Sequence, residues 1–148
     1  MNDPQRVLFS LALLAASGGY SFASEWLCIP EKAGGFIFEN GGWAHARFSV
    51  EGKSMVVAEV VPRAGFDGQP VGIEVTHTGD KFPIHTCAAF QEGQDQIACG
   101  GLGYGFLFNR SNLRYQELYG IGFVNGGDSP DNTPMLEIGR CTKLPDRN

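Results

Sequence analysis

Phe36-Ile37-Phe38-Glu39-Asn40-Gly41-Gly42-Trp43-Ala44-His45-Ala46-Arg47-Phe48-Ser49-Val50 reads as two strands and the turn between them. Asn-Gly is the strongest short-range hairpin signal, because both residues accept the positive φ that a tight turn between twisted strands requires. After the turn the chain alternates. Ala44, Ala46, Phe48 and Val50 share one face, and Trp43, His45, Arg47 and Ser49 share the other. A period of two describes a strand with one face buried.

The same punctuation continues downstream. Met55 to Val61 is a β-branched run that ends at Pro62, and Arg63 to Pro70 reads as a loop. Gly72 to His77 alternates again and leads into a turn at His77-Thr78-Gly79-Asp80-Lys81. Tyr104, Phe106 and Phe108 alternate with Gly105 and Leu107, and Asn109 to Asn112 reads as a turn. A short helix over 112–119, capped by Asn112, competes with a strand there, while Gly120 and Gly122 argue against prolonging it. A polar loop at 125–134 precedes a last strand from Met135 to Cys141. No helical period is sustained for three turns after residue 24. The expectation is an all-β chain, a small antiparallel barrel or sandwich of about eight short strands.

Composition supports one domain over residues 24–148. Of 148 residues, 11 are Phe and 21 are Gly, enough aromatic volume for a core and many tight bends. The 11 Lys and Arg residues are scattered and the net charge is −5, which excludes a nucleic-acid binder of the basic-patch type.

Residues 1–23 read as a signal peptide: Arg6, an apolar run from Val7 to Ala16, a Gly18-Gly19 break, and small residues at Ser21 and Ala23. The apolar run is too short to span a bilayer, which takes about 20 residues. No later run is long enough either, so no membrane span is expected after cleavage, and the mature protein is expected to be periplasmic or secreted, and monomeric.

Four cysteines in an oxidising compartment imply two disulfides. Three pairings are possible. Runs 84–90 and 96–101 flank a polar turn, and as a hairpin they would set Cys87 opposite Cys99. Cys28 and Cys141 would then tie the first strand to the last and join the edges of the sheet. The spacing has no C-x-x-C and suggests no metal site.

Three constellations merit attention. Trp43, His45 and Arg47 on one strand face offer stacking and charge to an anionic or aromatic group, and are the expected binding surface. His77, Asp80 and His85 cluster around one turn, a set suited to acid–base chemistry. Asn125 to Asn132 is rich in oxygen ligands of the kind calcium takes, although turn chemistry accounts for the same residues. Glu59, Glu74 and Glu117 lie in strand-like runs without a fixed pairing. No nucleophile motif, cofactor motif or catalytic residue is evident.

Phe106 to Tyr115, Tyr119-Gly120-Ile121-Gly122-Phe123 and the Thr133-Pro134…Glu137-Ile138-Gly139-Arg140-Cys141 ending, with Trp26-Leu27-Cys28, resemble a family of small exported proteobacterial proteins of unknown function. A looser likeness is to the periplasmic C-type lysozyme inhibitors, small disulfide-tied β-barrels, whose inhibitory loop motif has no counterpart here. The resemblance implies a β-barrel and assigns no catalytic residues. The expected function is a non-enzymatic binding or accessory module, without cofactor, for an unidentified protein or envelope ligand. The alternatives are a cell-envelope hydrolase using His77, Asp80 and His85, or a structural envelope protein with no specific ligand.

Overall fold

The computed structural model describes residues 24–65 and 68–146; the leader read at 1–23 lies outside them. Nine strands form one antiparallel sheet: β1 (Glu25–Glu39), β2 (Gly42–Phe48), β3 (Met55–Ala64), β4 (Pro70–His77), β5 (His85–Cys87), β6 (Gln96–Gly101), β7 (Tyr104–Asn109), β8 (Arg114–Tyr119) and β9 (Met135–Lys143). One turn of helix, α1 (Ile121–Asn125), and a 3-10 turn at Pro130–Asn132 fill the β8–β9 connection.

The hairpin turning at Asn40-Gly41 is present. Asn40 and Gly41 both have positive φ, 50° and 80°, and Phe38 pairs with Trp43 across the turn. Its first strand is far longer than the local pattern suggests. β1 runs 15 residues. Its N-terminal part pairs with β3, its C-terminal part with β2, and β9 runs along its other side. A bulge at Glu31 breaks the β1–β9 register between Pro30 and Lys32. The extra residue moves the inward set from Trp26, Cys28 and Pro30 to Ala33, as a single insertion into a period of two must.

The strands curl in the order β5-β4-β3-β1-β9-β8-β7-β6 into a nearly closed eight-strand barrel, with β2 off this path. Cys28 and Cys141 are direct partners in the β1–β9 ladder and are bonded. They lie mid-sheet and do not join its edges. The edges are β5 and β6, and Cys87–Cys99 bridges them. The 84–90/96–101 hairpin does not form: β5 is three residues long and pairs with β4. The cross-link is as expected, but it acts where ladder hydrogen bonds are missing, stapling the seam of the barrel.

The helix considered over 112–119 is the strand β8, because Tyr115, Glu117 and Tyr119 face inward on a period of two. The only α-helix among the described residues comes just afterwards, beyond Gly120, and buries no residue.

The interior is layered. Toward one end, Trp26 meets Phe108 and Phe90 edge to face, with Val57, Ile73 and Ile97 around them. Gly139 sits where β1 and β8 close on β9. A Cβ there would lie 2.5 Å from the Tyr115 ring and 2.8 Å from Pro30 Cα, so the Tyr115 position requires glycine. Toward the other end, β8 and β9 invert the usual pattern. Leu118, Leu136 and Ile138 face out, while Glu117 and Glu137 face in. That inversion places charge inside the barrel and defines its open mouth.

Candidate functional site

Glu117 and Glu137 are direct cross-strand partners of β8 and β9. Their side chains therefore leave the sheet side by side on its inner face. Both line a cavity of about 1080 Å³ that opens at the barrel mouth, where β4, β6 and β8 end and β5, β7 and β9 begin.

Glu137 is 4% exposed, and its Oε1 accepts the Tyr115 hydroxyl at 2.8 Å. Burial, this hydrogen bond and the field of the nearby carboxylates all push the Tyr115 pKa up, with burial the largest cause, so the phenol remains a donor. Glu117 Oε1 lies 3.0 Å from His85 Nε2. A carboxylate only accepts, so the proton of this bond sits on Nε2. The buried His85 ring stacks on Phe106, at 5.6 Å and 26°, and Phe106 stacks on Tyr115, at 5.9 Å and 24°. The stack fixes the imidazole and the phenol, and each then holds one carboxylate.

His77 and Asp80 join from the β4–β5 turn. His77 Nε2 is 3.9 Å from Glu117 Oε2, and His77 Nδ1 is 3.7 Å from Asp80 Oδ2. The turn thus brings together the three residues its sequence singled out, and adds Glu117. Tyr104 and Tyr119 pack edge to face at 5.1 Å and form an aromatic stretch of the rim, with Leu102 beside them. Ser54 and Thr78 also line the cavity, but the Ser54 hydroxyl donates to Thr78 Oγ1 at 2.7 Å. Among the described residues no group of three or more His, Cys, Asp or Glu side chains is arranged to hold a metal ion.

The Trp43–His45–Arg47 face lies elsewhere, on β2. Trp43 packs between Phe38 and Phe123, and its indole N–H donates to Asp128 Oδ1 at 3.0 Å. His45 is exposed and meets Phe36 edge-on; with Arg47 it lines a shallow depression outside the barrel. The Trp43 ring is thereby engaged in holding the β1–β2 hairpin to α1 and the 125–134 loop. Within that loop Ser129 Oγ accepts from the Asp131 backbone, and the Asn132 amide donates to the Gly127 carbonyl at 2.6 Å.

Sequence reasoning passed over Glu137, Tyr115, Tyr104 and Tyr119. The signal for Glu137 was there: Cys141, bonded inside the barrel, shares its strand face with residues 139 and 137.

No family model, curated protein or solved structure shows significant similarity to this chain.

Proposed function

We propose that this protein is an exported, non-enzymatic binding module whose ligand is a small molecule seated in the mouth of the barrel. One observation carries the reading: two adjacent inward-facing carboxylates, each held by a single fixed donor, line an open cavity of small-molecule size. Apolar residues on those strands face solvent while the carboxylates face in, the kind of local conflict with folding that is retained at functional sites. Export accords with the leader-like residues 1–23 and with the two disulfides. The β2 face, where His45 and Arg47 are exposed beside the half-buried Trp43, is the second candidate surface, one for a macromolecular partner.

The hydrolase reading retains one favourable observation, the convergence of His77, Asp80 and His85 on this cavity. The neighbouring hydroxyls of Ser54 and Thr78 are bonded to each other, a poor arrangement for a nucleophile that needs a base beside it.

A fragment library observed by ligand-detected NMR tests the proposal. Gly101 lines the cavity and a Cβ there would meet nothing within 4 Å, so Gly101→Trp adds an indole at the cavity wall without a steric clash at its Cβ, and is expected to obstruct the mouth. Fragments that bind the native protein should be lost in this variant and kept when Trp43, His45 and Arg47 are replaced by Ala. The reverse pattern would move the site to β2. Turnover of ester or cell-wall substrates, abolished by His77→Ala or His85→Ala, would establish the enzymatic alternative instead.

A further inference from the structure

We infer that the mouth cavity takes an organic cation, a molecule bearing an ammonium group whose charge sits between Glu117 and Glu137; the inference rests on the reading of this cavity as the ligand site. Charge balance is its first ground. Glu117 has only the two histidines as ion-pair partners, and Glu137 has the neutral Tyr115 hydroxyl. Lys53 also lines the cavity, but among the described residues no Lys or Arg forms an ion pair with either carboxylate. Like charges directly opposite each other on neighbouring strands repel, and an unpaired buried charge is costly. A cation entering between them relieves the repulsion and gains two charge-assisted hydrogen bonds in one event.

Hydrogen-bond capacity is the second ground. Each carboxylate offers about four acceptor sites and has one donor from the protein. An ammonium brings three donors and no acceptor, which complements this wall; an anion would add acceptors to acceptors. The third ground is the rim. Tyr104 and Tyr119 present aromatic surface to the same cavity, where methylenes or the cation itself can lie against a ring.

The experiment is titration of the oxidised protein, followed by calorimetry and by amide shifts, with four probes: 1,4-diaminobutane, spermidine, 1,4-butanediol and succinate. The two amines are expected to bind saturably and to move resonances of residues 85, 117 and 137. Glu117→Gln and Glu137→Gln should each weaken them roughly tenfold. Both substitutions keep a carbonyl oxygen for the His85 or Tyr115 donor, so the fold is expected to persist, and unchanged far-ultraviolet circular dichroism checks it. Binding of the diol or of succinate in the cavity as tightly as the diamine would overturn the charge assignment and leave the cavity a ligand site. Amine binding indifferent to both substitutions would also overturn it. If no probe of any charge moves a cavity resonance, the inference and the reading beneath it fail together.

Discussion

Glu137 shows how one residue can be wrong for stability and right for a site. It is almost fully buried, it faces Glu117 across the ladder, and its donor is a single phenol. Two substitutions separate these effects. Tyr115→Phe removes the donor and leaves the carboxylate buried without it, and should destabilise by about 1–3 kcal/mol. Glu137→Gln keeps the acceptor and removes the like charge, and should stabilise by roughly 0.5 kcal/mol, within the range of cross-strand pairs, while weakening ligand capture. Chemical denaturation of the two variants beside the native protein measures both. The Tyr115 phenol carries its own pH signature. Its pKa is raised in the folded state, chiefly by burial, so the stability it contributes is complete below the ordinary tyrosine value of about 10 and falls as pH rises above that value. In an alkaline titration read at the tyrosinate band, one tyrosine should therefore stay protonated until the protein unfolds.

The seam between β5 and β6 is where the elements depart most from their sequence pattern. Alternation, Asn-Gly and the glycine-rich turns made most strands readable, since each is a local property of a few residues. Closure was not readable, because it depends on which strands become edges, and long-range pairing leaves no local trace. The cysteine pairing was right but the roles of the two bridges were exchanged: Cys28–Cys141 reinforces an existing ladder, and Cys87–Cys99 substitutes for a missing one. At the site, His77, Asp80 and His85 were legible from proximity along the chain. The inward face of Glu137 was legible from its parity with Cys141, but its pairing with Tyr115 and Glu117 was not, because both partners come from another strand. In a Cys87→Ser/Cys99→Ser protein, hydrogen exchange should accelerate selectively in β5 and β6. Stability should fall by ~3 kcal/mol, the loop-entropy value for a short closed loop. Uniform loss of protection across β1 and β9 as well would show that the seam is not a separate weak point.

Across the whole molecule, an apolar base and a charged, aromatic mouth divide the barrel interior between folding and binding. The base is built from Trp26, Phe108 and the aliphatic residues around them; the mouth carries Glu117, Glu137, His85 and the two tyrosines. The outer face of β2, with His45 and Arg47, is the competing location for a partner. The most direct discrimination is a crystal structure of the oxidised protein soaked in 1,4-diaminobutane. Difference density for the diamine is expected inside the barrel, one nitrogen within hydrogen-bond distance of both Glu117 and Glu137. An empty mouth with the diamine confined to the outer surface, at a concentration that saturates binding in solution, would contradict that placement.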